Sequence, residues 1–321
     1  MLFLFDFPVW FLRAFALSLG LVWGSFLNVV IYRVPRGMSV VRPASHCPAC
    51  GAPIKPYQNI PVFGYLLLRG KAACCGAKLS PRYPLVELMG GVLSLAILEV
   101  IILRLDPLTT MGRALAIYTA DFALCLGLVA AAFIDLEHMF LPDSITLGGT
   151  VLGLATFSFR GVSFTDALIG AVAGFVIIWL PFVVIYPKIR GRAGMGLGDA
   201  KLLMLAGAWF GWGGALFVLG AGAVQGTIAA IFTLLFRGKL EEPEAVKKER
   251  EELQKELEAL SPEERAEVEK ELAEDPLAEE AGPGLGQARI AFGPFLILAT
   301  LEQLFLGRSA IDAYIDWIDR P

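Results

Sequence analysis

The chain has 321 residues, 56% of them hydrophobic and 18% charged, with a mean hydropathy of +0.65. Soluble domains run nearer about 45–50% apolar and about 25% charged. That excludes an ordinary water-soluble enzyme, collagen, a disulfide-rich secreted domain and a mainly disordered chain. The net charge of −4 is segregated: residues 238–287 hold 17 acids and 7 bases, leaving 14 acids and 20 bases elsewhere and no basic surface large enough to suggest nucleic acid. The composition is that of an all-α polytopic membrane protein whose surroundings are the lipid bilayer.

A spanning helix needs about 20 mostly apolar residues. Eight stretches meet that need, at about 9–32, 84–103, 114–135, 144–160, 166–187, 200–218, 219–236 and 290–306, and Gly211, Gly213 and Gly214 are the only break between the sixth and seventh. The first stretch is longer than a signal-peptide core and lacks a basic start and a clear cleavage site, so it reads as a helix. The regions are then 1–34 (first span), 35–83 (a Cys-containing loop), 84–236 (spans two to seven), 237–289 (an acidic insertion) and 290–321 (the last span and tail).

Orientation follows from the bases in the short loops. Between Arg33 and Arg82 there are eight bases and no acid, and Lys188, Arg190 and Arg192 fall after the fifth span. This puts 33–83, 136–143, 188–199 and 237–289 in the cytoplasm and both termini outside, as an even number of spans requires. Within the insertion, residues 240–280 read as a pair of charged helices. Ser261, Pro262 and Glu264 resemble a helix start with a capping box. The pair reads either as a solvated hairpin over the membrane or as a docking element for an assembly partner.

Four of the five cysteines lie in the basic loop: Cys47 and Cys50 in a CxxCG turn, then Cys74 and Cys75 side by side. A reducing compartment disfavours disulfides. A CxxCG turn is a good half-site for tetrahedral zinc, while adjacent cysteines converge on one ion less easily, and His46 could replace a ligand. The readings are a structural zinc site or a reduced loop with one knuckle. Cys125, inside the third span, reads as a small buried hydrophobe.

Ionisable groups at span ends are costly and need a reason. Asp135 closes the third span, Asp143 follows Pro142, and Asp199 opens the sixth in GMGLGD. All three fall at one level of the membrane. Two carboxylates held together do not easily both ionise, so one serves as acid and the other as base, and such a pair can activate water against an amide. A helix N-terminus favours the anion of Asp199 and a helix C-terminus the neutral form of Asp135, which makes Asp199 the base and Asp135 the proton donor. Gly194, Gly196 and Gly198 allow close backbone approach beside Asp199. Asp143 reads as the N-cap of the fourth span, Asp121 as a polar helix–helix contact or part of an ion path, and His138 as a surface or supporting residue. A helix cap or a salt-bridge partner remains the plain alternative for any single Asp.

At these residues the sequence resembles the bacterial type IV prepilin peptidases, the prepilin leader peptidase/N-methyltransferases of the GxGD aspartyl protease group. The resemblance rests on GSFLNVVIYRVPRG (24–37), HCPACGAPIKPYQNIPVFGYLLLRGK (46–71), LSPRYPLVELMGG (79–91), IDLEHMFLPDSIT (134–146) and GMGLGDAKLL (194–203). It implies eight spans in the bacterial inner membrane, with catalytic Asp135 and Asp199 at the cytoplasmic face and Pro142-Asp143 as a supporting motif. It implies cleavage of type IV pilus prepilins or type II secretion pseudopilins after a Gly, then methylation of the new N-terminus from S-adenosylmethionine. That second activity is placed around Gly24, Asn28, Arg33, Glu87 and Gly90. Relatives with the zinc loop usually carry CxxC twice; here Ala72 stands in the third place, Cys75 in the fourth, and Cys74 is extra. The competing functions are a peptidase without methyl transfer, a proton- or cation-coupled transporter using Asp121, Asp135 and Asp199, and a non-catalytic assembly factor.

Overall fold

A computed structural model describes residues 6–47, 49–190, 194–237 and 291–318. The acidic insertion and its helical pair lie outside the described residues. The helices are α1 (Val9–Arg33), α2 (Phe63–Leu67), α3 (Arg82–Val100), α4 (Met111–His138), α5 (Asp143–Ala155), α6 (Phe164–Ile178), α7 (Tyr186–Arg190), α8 (Leu197–Arg237) and α9 (Gly293–Ile318). Among the described residues there is no strand, only isolated bridges between His46 and Pro53 and between Lys71 and Lys78. The chain divides into two compact units, Met1–Phe133 with Leu304–Pro321, and Ile134–Gln303.

In the first unit α1 packs on α3 through small residues, which let two backbones approach where no hydrophobic drive separates helix from lipid. A Cβ on Gly24 would stand 2.8 Å from the Cα of Glu87, and one on Gly90 2.9 Å from the Cα of Gly24. Ser94 hydrogen-bonds the carbonyl of Ala16 and the hydroxyl of Tyr118. Glu99, an ionisable group in an apolar run, is matched by Arg13, whose Nε lies 2.6 Å from its Oε1. Asp121 and Cys125, one turn apart on α4, are both buried.

In the second unit α5 and α6 pack on the first part of α8. Gly170 and Gly207 face each other so closely that a Cβ on either would meet the other's carbonyl. Arg160 clamps this region: its Nε donates to the carbonyl of Trp209 at 3.1 Å, its Nη1 to Thr156 Oγ1 at 2.7 Å, and its guanidinium lies 4.1 Å from the centre of the Trp209 ring. Gly211 then breaks α8, with φ 72° and ψ −175°, a backbone that only glycine adopts without strain. Beyond the break α8 packs on α9, through Gly222 against Leu296 and Gly226 against Phe295. Residues Trp179–Ile185 form a π-helix. Pro181 within it has no N–H to give to an α-helical bond.

Among the described residues, five helices are long and apolar enough to cross a bilayer: Val9–Arg36, Arg82–Arg104, Met111–His138, Phe164–Arg190 and Leu197–Phe236. Eight separate long helices are not found among the described residues. The sixth and seventh expected spans are one element of 41 residues divided at Gly211, about 60 Å at 1.5 Å per residue and so about twice the hydrocarbon thickness. The fourth is a helix of 13 residues, about 20 Å long. The last span starts at Gly293, and Gly293–Gly307 is an apolar helical stretch.

Candidate active site and thiol cluster

Asp135 occupies the last turn of α4. The N–H of Met139 donates to its carbonyl at 2.9 Å, and Met139 itself, at φ 56°, turns the chain out of the helix. The Asp135 side chain is buried, with 6% of the residue exposed. Asp199 lies in the first turn of α8, its N–H bonded to the carbonyl of Gly196 at 3.2 Å. The two carboxyl groups, 64 residues apart in sequence, are close enough to interact electrostatically.

The glycines around them differ in what they do. A Cβ on Gly198 would approach Leu141 Cβ to 3.1 Å, whereas one on Gly196 would meet the Asp199 carboxylate at an ordinary 3.6 Å and Gly198 N at 3.9 Å. Gly198 therefore allows the Asp199 segment to lie against the loop that follows Asp135. Gly194 packs against Phe182 and Tyr186 at the end of the π-helix. Asp143 is not the N-cap expected of it. Pro142, with extended dihedrals, holds that position, and Asp143 is the first helical residue. Its Oδ1 instead takes a 2.6 Å bond from Lys201 Nζ, which ties the start of α5 to the second turn of α8.

Sequence reasoning missed Gly293. A Cβ there would run into the Asp135 carboxylate and lie 3.3 Å from Leu141 Cδ1. The N-terminus of α9 thus completes the wall around Asp135, and Leu141 sits between Gly198 and Gly293. The FGPF run at 292–295 carried a weak sign, a Gly-Pro pair opening a helix.

The first unit holds the cysteines in two matching turns. In one, the N–H of Cys47 donates to Ala52 O and that of Gly51 to Cys47 O, each at 2.8 Å; in the other, Ala72 donates to Ala77 O and Gly76 to Ala72 O, each at 2.8 Å. Ala72 thus takes the place of Cys47 in the second turn, and Gly51 and Gly76 supply the left-handed residue of each (φ 71° and 72°). Cys74 makes good the missing thiol. The sulfurs of Cys47, Cys50, Cys74 and Cys75 all lie within 4.8 Å of one another, with Cys47 to Cys75 at 3.8 Å. Zn–S bonds of about 2.3 Å in a tetrahedron imply sulfur separations of about 3.8 Å, so this cluster could hold a metal. Backbone N–H groups of Ala49 and Cys50 pull the Cys47 thiol down to about 7, while hydrogen bonds to its sulfur neighbours push Cys74 up to about 12. His46 lies outside the four, with Nδ1 3.2 Å from the carbonyl of Ala44.

Beside the turns is a cavity of about 170 Å³, lined in part by Asn28, Arg33, Tyr65, Tyr83 and Glu87. Asn28 Nδ2 donates to Tyr83 O at 3.1 Å, but its buried Oδ1 has no partner. Glu87 accepts from Val62 N–H at 2.6 Å and from the Ser25 side chain. The guanidinium of Arg33 bonds the carbonyls of Ser39 and Pro43, each at 2.9 Å, and so pins the loop. Gly24 and Gly90 are packing glycines of the α1–α3 pair and are not among the cavity-lining residues.

Fold and sites together define a multi-pass membrane protein with a paired-carboxylate centre in one unit and a four-thiol cluster beside a cavity in the other. Residues 18–101 match the bacterial peptidase A24 N-terminal domain and residues 122–231 the type IV leader peptidase family. The prepilin leader peptidase/N-methyltransferase of Neisseria gonorrhoeae is 38% identical over 251 residues, covering 70% of this chain and 83% of that protein. The protein of the same name from Myxococcus xanthus is 40% identical over 226 residues, 70% of this chain and 64% of its own, and that from Pseudomonas putida is 35% identical over 258 residues, 72% and 83%. The chain belongs to the prepilin leader peptidase/N-methyltransferase family. No solved structure matches it.

Proposed function

We propose that this protein is a membrane aspartyl endopeptidase. It removes the leader of type IV prepilins or pseudopilins after a Gly and methylates the new N-terminus, with S-adenosylmethionine as donor. The observation that carries the reading is the convergence of Asp135 and Asp199 in a chain of this family. Asp199 acts as base: it takes a proton from water as the water oxygen attacks the scissile carbonyl carbon. Asp135 gives its proton to the amide nitrogen as the C–N bond breaks. Asp143 and Lys201 hold the two helix ends together, Gly198 and Gly293 leave room for the carboxylates, and Gly196 relieves the backbone before Asp199.

S-adenosylmethionine, when bound, supplies an activated methyl group. The cavity suits it, because the unpartnered Asn28 Oδ1 and the Glu87 carboxylate are acceptors for a cationic ligand. Arg33 fixes the loop that closes the cavity, and Gly24 and Gly90 set the spacing of the helices beneath it. Cys47, Cys50, Cys74 and Cys75 hold a structural zinc, with four protein ligands and no open position for water. The excess of bases between Arg33 and Arg82 supports a cytoplasmic position for this loop and for the aspartates, with periplasmic termini, in the bacterial inner membrane. The acidic insertion at 238–287 is a candidate contact for a pilus or secretion assembly partner.

The test is incubation of the purified protein with a full-length prepilin and S-adenosylmethionine, followed by intact-mass analysis of the substrate. Loss of the leader and gain of one methyl group is the expected result. An unchanged mass for several prepilins refutes the reading.

A further inference from the structure

The short helix α2 has two apolar faces, and only one is covered. Gly64, Tyr65 and Leu68 line the cavity. On the other side Phe63, Leu66 and Leu67 are 60%, 61% and 78% exposed. A face of this kind on a loop calls for a partner.

The depth of α2 shows which partner. The N–H of Val62, immediately before α2, donates to the Glu87 carboxylate at 2.6 Å. Glu87 lies five residues past the start of α3, about 7.5 Å along the helix axis at 1.5 Å per residue, and α3 is one of the spanning helices. The hydrogen bond therefore ties the N-terminus of α2 to the second turn of a span, at headgroup depth. The charge agrees. Lys55, Arg69, Lys71 and Lys78 are exposed around the same loop, and there is no acid between Arg33 and Arg82. An apolar face edged by bases is how a helix lies in an anionic membrane surface, and the same edge repels a basic peptide.

We propose that α2 is an interfacial helix: Phe63, Leu66 and Leu67 enter the headgroup–acyl boundary of the leaflet at the Arg33 and Arg82 ends of α1 and α3, and Arg69, Lys71 and Lys78 bind anionic phospholipid headgroups. Because the opposite face of α2 is a wall of the cavity, the lipid contact steadies that wall.

The test places the photoreactive residue p-benzoylphenylalanine at position 67 of the full chain. The protein is reconstituted in nanodiscs of phosphatidylcholine mixed with phosphatidylglycerol, and the adducts are identified by mass spectrometry. Residue 67 is exposed, so the variant should melt at the wild-type temperature. The expected result is lipid adducts enriched in phosphatidylglycerol over its share of the disc, with the enrichment lost in a Lys71→Gln/Lys78→Gln background. Absence of lipid adducts, lipid adducts without enrichment, or their replacement by peptide adducts when a prepilin is added would each overturn the proposal. None of these readouts depends on whether the protein cleaves or methylates.

Discussion

Replacing Gly293 by alanine adds one methyl group to the site. Its Cβ would overlap the Asp135 carboxylate, and Leu141 Cδ1 stands only 3.3 Å away on the other side, so the carboxylate has to move. Overpacking a filled site costs about 1–3 kcal/mol, and displacing a reacting group by about 1 Å costs about 100-fold in rate. The expected effect is a fall of about 100-fold in kcat for prepilin cleavage. Methylation of an already cleaved pilin should persist, because the cavity proposed for it lies in the other unit. Gly220→Ala on α8 is the control: nothing lies within 4 Å of its added Cβ, and alanine favours a helix by up to about 1 kcal/mol. The assay is single-turnover cleavage in nanodiscs, with thermal melting beside it. Cleavage by Gly293→Ala within threefold of wild type would refute the placement of α9 against Asp135.

Other expectations follow from the same geometry. Cleavage should show a bell-shaped pH–rate profile, falling at low pH when both carboxyls are protonated and at high pH when both are ionised; a flat profile across the acid limb would count against a carboxylate pair. Glu87→Gln keeps an acceptor for Val62 but removes the charge, and should weaken S-adenosylmethionine binding by about 10- to 100-fold while leaving cleavage intact, as read by calorimetry and intact mass. Cys74→Ala should lower the zinc content of the purified protein well below one per chain, and Cys74→Ala with Ala72→Cys should restore it, because Ala72 already has the backbone position of a knuckle cysteine; elemental analysis decides this. Arg160→Ala should lower the melting temperature, since it strips hydrogen bonds from the carbonyls of Trp209 and Gly153, and an unchanged melt would contradict the clamp.

The helical class and the membrane setting were legible in the long apolar runs, and Asp135 and Asp199 stood out as candidates because each is a carboxylate at a span end, Asp199 directly after Gly198. The break in the long helix was likewise marked, by Gly211. Cys74 was harder. As a sequence, Cys74-Cys75 departs from CxxC with Ala72 in the third place, and only the structure shows that Cys74 reaches the cluster from within the turn. Asp143 misled because Pro142 takes the cap, which frees the carboxylate for Lys201, a partner that no spacing rule would select. Gly293 carried only the weak sign of a Gly-Pro pair in the sequence, since its importance lies in a tertiary contact with Asp135. That Asn28 and Glu87 line a cavity while Gly24 and Gly90 pack the helices could be seen only in the structure.

The central claim is that Asp135 and Asp199 form one catalytic unit. It is tested by intact-mass analysis of a prepilin co-expressed with wild type, Asp135→Asn, Asp199→Asn and the double variant. Residues that act as a unit are not additive, so each single variant should leave the leader in place as completely as the double one. Leader removal by either single variant at a rate near that of wild type would contradict the claim.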